Sequence, residues 1–273
     1  MAPGGIILGL AVGGEGAGDF ALGGSVVANT IKPTIDAHVT GGVTILSAGG
    51  NITVAAQERD LVISSGAGVI SASTGSKGGA AVGVSVPTNT VESTVKAYVE
   101  DVQTFESTGG MANVTADRRE TQIVAVALGG EVATDFSGGV SVATNTVTHT
   151  TDAHVSQGTE VKGYAGVTVQ ASEEAPVIVA AAGNFAISNK GVAIGAAVPT
   201  NTVTRNLTAY VGDKNQADFD QGADGAKLSS DAGAVTVAAT RQNSLVMAIG
   251  VSGVGAENFS LGGSVVESNI KSS

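Results

Sequence analysis

A chain of 273 residues with 42% apolar residues and 40 glycines can bury a sizeable core, and its 24 acidic against 13 basic residues give a net charge of -11. That sign repels phosphate backbones and sets nucleic acid aside as a partner, while the lack of cysteine excludes thiol catalysis, disulfides and cysteine-ligated zinc without fixing the compartment. Aromatic residues make up only 3% of the chain, too few for the girdles of a membrane barrel, and no apolar run approaches the roughly 18 residues of a membrane helix.

The N-terminus lacks the basic and small-residue features of a signal peptide, so any export signal is expected outside this chain. Ile6 to Val12 reads as a strand interrupted by Gly9. Gly13-Gly14-Glu15-Gly16-Ala17-Gly18-Asp19 approaches the calcium-binding nonapeptide, but its aspartate falls one position late and tandem nine-residue copies are missing. No helix follows to offer its N-terminus to a dinucleotide. Next comes Ser25-Val26-Val27-Ala28-Asn29-Thr30, then His38 within Ala-His-Val, and the stretch closes on Ile52-Thr53-Val54-Ala55-Ala56.

From there the chain copies itself. The marker asparagine of the first block returns as Asn89, Asn145, Asn201 and Asn269, and His38 returns as Tyr98, His154 and Tyr210. The closing block returns as Asn113-Val114-Thr115-Ala116, Val167-Thr168-Val169-Gln170-Ala171 and Val235-Thr236-Val237-Ala238-Ala239. A single array over 1–273 is expected, with units of about 5–60, 61–120, 121–175, 176–243 and an incomplete 244–273. The units alternate: the odd ones carry Asp19-Phe20, Asp135-Phe136 or Asn258-Phe259, and the even ones have proline before Thr-Asn-Thr. The last unit breaks off at Ser273, so the chain is expected to be a window on a longer array.

Within each unit the residues alternate as in a strand. Val91, Ser93, Val95, Ala97 and Val99 share the parity of Asn89, and Thr90, Glu92, Thr94, Lys96 and Tyr98 take the other. The marker asparagines therefore lie on the apolar side, where they can form a structural ladder of stacked amides. The threonines Thr30, Thr90, Thr146 and Thr202, with the rings of His38, Tyr98, His154 and Tyr210, lie on the wet side as outer-face contact candidates. The fourth position after each marker holds Pro33, Ser93, His149 or Arg205 and is expected to bend or bulge. Ile123 to Leu128 and Val82 to Val86 are apolar on both parities, as segments covered on two sides would be. The insertion from Gly212 to Gly233 carries Asp218, Asp220 and Asp224, spaced like calcium ligands but without the glycine and glutamate of a calcium loop.

These patterns imply an all-β repeat solenoid, a right-handed parallel β-helix, with a stack of antiparallel hairpins as the alternative. The succession from Asp135-Phe136-Ser137-Gly138-Gly139-Val140 to Asp152-Ala153-His154-Val155 resembles repeats of leukotoxin-type filamentous adhesins and autotransporter passengers of Gram-negative bacteria. That resemblance spans essentially the whole chain. It implies a secreted or surface-displayed β-helix, attached through a domain outside this chain, with a host protein or glycan as partner and with no catalytic residues. No cofactor is expected beyond calcium at the three aspartates. Two further readings are a carbohydrate-active β-helix enzyme, for which Asp36 and Asp152 are the carboxylates to inspect, and a host-binding passenger of a secreted toxin.

Overall fold

A computed structural model describes residues 5–75, 78–156, 158–212 and 225–273. The first 60 residues form β1 (Gly5–Ala17), β2 (Phe20–Ile31), β3 (Thr34–Thr40), β4 (Thr44–Ser47) and β5 (Ile52–Glu58). The next repeat forms β6 (Leu61–Ser73), β7 (Ala80–Glu100), β8 (Thr104–Ser107) and β9 (Met111–Arg118). The third forms β10 (Thr121–Ala133), β11 (Phe136–Ser156), β12 (Glu160–Gly163) and β13 (Gly166–Glu173). The fourth gives β14 (Val177–Ser188), β15 (Val192–Val211), β16 (Lys227–Ser230) and β17 (Val235–Arg241), and the last β18 (Leu245–Ala256), β19 (Phe259–Ser264) and β20 (Glu267–Ser272).

The protein is all-β, and its strands pair in parallel. The first sheet runs β1-β6-β10-β14-β18; the long sheet places β7, β11 and β15 between β2 and β3 at one edge and β19 and β20 at the other. A short sheet runs β4-β8-β12-β16 and a closing sheet β5-β9-β13-β17. The second, third and fourth repeats thus send one segment to each sheet in the same order, and equivalent residues become neighbours: Asn29 pairs with Asn89, Asn89 with Asn145 and Asn145 with Asn201. The antiparallel alternative is overturned, because every described pairing of repeats is parallel and Gly13 to Ala17 runs straight within β1 instead of turning back.

Period-two alternation decides which side chains meet inside. The second halves of the long strands face the short and closing sheets across Val95, Val99, Phe105, Val114, Val155 and Val169, all buried, each contributing roughly 1.5–3 kcal/mol of transfer free energy. The first halves face the first sheet across a thinner layer of Ala125, Ala127, Ala143, Ala180, Ala182 and Ala197. A row of Ile63, Val91, Ile123, Val147, Ile178 and Val203 separates the two zones.

Two expectations are corrected here. No bulge occurs at Ser93, His149 or Arg205: β7, β11 and β15 run through these positions unbroken, and of the fourth-position residues Pro33 alone divides its strand, having no N–H to give the ladder. The segments apolar on both parities are covered on one side alone. Their inward residues meet the opposite sheet, whereas Leu128 and Val84 point outward and are 56% and 38% exposed.

Candidate functional site

The inward asparagines form a continuous amide row along the long sheet. Asn29 Nδ2 donates to Asn89 Oδ1 at 3.0 Å, Asn89 to Asn145 at 2.9 Å and Asn145 to Asn201 at 3.0 Å. The second hydrogen of each amide goes to a carbonyl of the first sheet, in the repeat that follows: Ser64, Val124, Val179 and Met247. Asn29, Asn89 and Asn145 thus use both N–H bonds, which removes the penalty of burying them. Asn269 does not belong to this row. Asn201 pairs with Ser268, and Asn269 stands one residue on, beside Thr202, because Ser264 pairs with Ala197 and the asparagine of this block comes one place later than in the other repeats. A one-residue shift turns a side chain to the opposite face.

A second inward row is ionic. The closing strands end on Glu58, Arg118, Glu173 and Arg241, which lie in register with alternating charge and face the fourth position after each marker. Arg118 Nη1 lies 2.7 Å from Glu58 Oε2, and Ser93 Oγ donates to the same carboxylate. Glu173 gathers His149 at 3.2 Å, Arg205 at 2.9 Å and Arg241 at 3.4 Å. Burial alone would raise the Glu173 pKa, but the hydrogen bonds from His149 and Arg205 and the Arg205 charge outweigh it and bring it down to about 2. Burial also lowers the His149 pKa, so its ring is neutral at ordinary pH and donates from Nδ1 to Glu173. Burial likewise acts against the Arg118 charge, offset in part by Glu58 and Glu173. The sequence carried a signal for this row: two residues beyond each closing block the charge reads Glu, Arg, Glu, Arg, and the fourth position after the marker is polar in the middle repeats.

Glu131 is a different kind of buried acid. It lies fully buried on β10, where Gly83 and Gly139 of the long sheet leave it room: a Cβ on either glycine would fall 2.2 Å from its carboxylate. Its side-chain donor is Asn184 Nδ2 at 3.1 Å. Burial raises its pKa to about 7, against a smaller lowering by Asn184.

The outer face of the long sheet has two zones. Near the marker, Thr30, Thr90, Thr146 and Thr202 align in register, as do Thr34, Thr94 and Thr150. Further on, the rings of His38, Tyr98, His154 and Tyr210 stack with centroids 5.0, 5.0 and 4.7 Å apart and nearly parallel planes. Asp36 and Asp152 hold the histidines from two residues before, at 3.0 and 2.8 Å from Nδ1, and Lys96 lies in register between the two aspartates. Partial burial, Asp36 and Glu100 all raise the Tyr98 pKa. Because the rings cover one another's faces, the column presents ring edges and polar atoms to solvent, not a flat aromatic platform.

Asp218, Asp220 and Asp224 lie outside the described residues. Among the described residues no group of three or more histidine, aspartate or glutamate side chains is placed to hold a metal ion, and no helix is long and apolar enough to cross a membrane. A polar cavity of about 180 Å³ on the short sheet is lined by Glu106, Ser107, Lys162, Gly163, Tyr164, Ser229 and Asp231. Its charged residues differ from repeat to repeat, Leu46, Glu106, Lys162 and Ser229 occupying equivalent places. No family model, curated protein or solved structure matches this chain.

Proposed function

We propose that the chain is a stretch of right-handed parallel β-helix, one repeat to a turn, from a secreted or surface-displayed bacterial adhesin, and that it serves as an extended stalk presenting its repeated outer face for attachment. The observation that carries this reading is the unbroken register of equivalent residues from repeat to repeat, which turns a sequence repeat into rows of identical groups along one axis. The rule that parallel crossovers are right-handed supports the hand. The likeness of its repeats to filamentous adhesins supports the role, and the repetition of Asp36 as Asp152 and of His38 as His154 suits a scaffold better than a catalytic pair, which needs two distinct environments.

The contact surface is the outer face of the long sheet, and its partner is a host-surface protein or glycan met by hydroxyls and ring edges. The test is attachment of host cells, and of immobilised glycans, to surfaces coated with the chain. Replacing Thr90, Thr146 and Thr202 together by alanine, or Tyr98 and His154 by alanine, should reduce attachment at least severalfold while outward substitutions on the closing sheet leave it unchanged. Attachment indifferent to both sets would sink the reading. The unrepeated acids and lysine of the short-sheet cavity favour the enzyme alternative; polysaccharide cleavage that disappears in Glu106→Gln and Asp231→Asn would establish it.

A further inference from the structure

The outward face of the first sheet is apolar across all five strands. On the interior strands it carries Val124, Val126 and Leu128 of β10 with Phe185 and Ile187 of β14, so the exposure does not come from the chain ends. Among the described residues of this face the polar side chains are Ser64 and Gln122. Bulky groups alternate with glycine across the strands: Leu128 stands between Gly68 and Gly183, and Phe185 between Gly130 and Gly253. Each bulky group leans onto a glycine. Leu128 Cδ2 comes within 3.3 Å of the place a Cβ on Gly183 would take, and the Phe185 ring within 2.6 Å of that on Gly253. The face is therefore flat as well as apolar.

Five strands spaced about 4.8 Å apart, with outward positions over about 33 Å, make a face of about 800 Å², the area one partner gives to a standard interface. Charge rims it, with Asp60 and Arg119 where the strands begin and Asp135 and Lys190 where they end. An apolar centre with a charged rim is the anatomy of a protein interface, and patches of this size are rare on proteins that stay monomeric.

We propose that two copies of the chain associate through this face, first sheet against first sheet, about a two-fold axis. A flat sheet face is best covered by another sheet at about 10 Å, and the two-fold axis lets one patch serve both partners. The net charge of -11 makes two copies repel each other as wholes, so added salt strengthens the pairing. The inference stands apart from the attachment role, since it concerns the sheet on the other side of the inward asparagine row.

Sedimentation equilibrium of the whole chain from micromolar to submillimolar concentration is expected to show a dimer. Val126→Thr with Leu128→Thr should weaken it at least tenfold, whereas Thr146→Ala should not change it. The chain has no cysteine, so Val126→Cys, near the centre of the face, reports contact directly: a short bis-maleimide should join two Val126→Cys chains but not two Thr146→Cys chains. This second readout decides the matter if the threonine variant fails to fold. A monomer at every concentration overturns the proposal, as does equal cross-linking at both positions. So does a monomer that floats with phosphatidylcholine vesicles and loses that ability in the threonine variant, because lipid would then be the occupant.

Discussion

Single residues in the interior set two opposite responses to pH. The fold holds Glu131 at about 7 against an ordinary 4.5, so it favours the protonated acid. That contribution is complete below about pH 4.5 and is lost as pH rises through 7. Glu173, held at about 2, contributes fully above its ordinary 4.5 and loses that contribution as pH falls through 2. Glu131→Gln should therefore leave stability near pH 4 almost unchanged and raise it near pH 8 by up to about 3 kcal/mol, read by urea unfolding at the two pH values. Equal effects at both would show that the carboxyl is not held protonated. Asn145→Ala removes a donor from one neighbour and an acceptor from the other and should cost about 3 kcal/mol; Asn269→Ala, exposed and outside the row, should change stability by less than about 0.5 kcal/mol.

At the scale of elements, the closing strands and the long strands are held by the ionic row between them. Removing one member leaves an uncompensated buried charge, whereas removing a pair does not. Glu58→Leu and Arg118→Leu should each cost about 3–5 kcal/mol alone, and the double variant should cost clearly less than their sum. Additive losses in thermal or urea unfolding would mean that the two side chains act independently. The same row explains why the polar fourth position does not bend β7, β11 or β15. An inward serine, histidine or arginine finds its partner on the closing strand while keeping its backbone in the ladder, and only Pro33 must leave it.

For the whole molecule, register between neighbouring repeats makes stability a matter of nearest neighbours. Strands flanked on both sides, such as β7, β11, β10 and β14, have their backbone groups paired twice, whereas β1, β4, β5, β19 and β20 sit at sheet edges. Amide hydrogen exchange should be slowest in the first group and fastest in the second, with protection falling in steps from the middle repeats outwards. Uniform protection throughout would instead mark a single cooperative unit.

The sequence by itself determined the all-β character, because period-two alternation belongs to each strand; its repeats favoured parallel pairing, and the pairing of the strands decided it against stacked hairpins. It also determined the parity of the long strands around each marker, where polar residues take one side and apolar residues the other. What lies opposite, across the interior, was decided only by the tertiary structure. Glu58 and Arg118 read locally as the charged ends of strands, and they become an inward pair only when the long sheet closes over them. Gly83 and Gly139 read as punctuation until Glu131 fills the space their missing side chains leave. The place of Ser268 was legible in the block itself, since Ser264 stands opposite Ala197 and Ser268 opposite Asn201; matching by the asparagine alone misses it by one residue, because pairing follows backbone register and not residue identity. The uncovered face of the first sheet was beyond local reading: apolar residues on both parities state that both sides avoid water, and only the folded chain shows which side it covers itself.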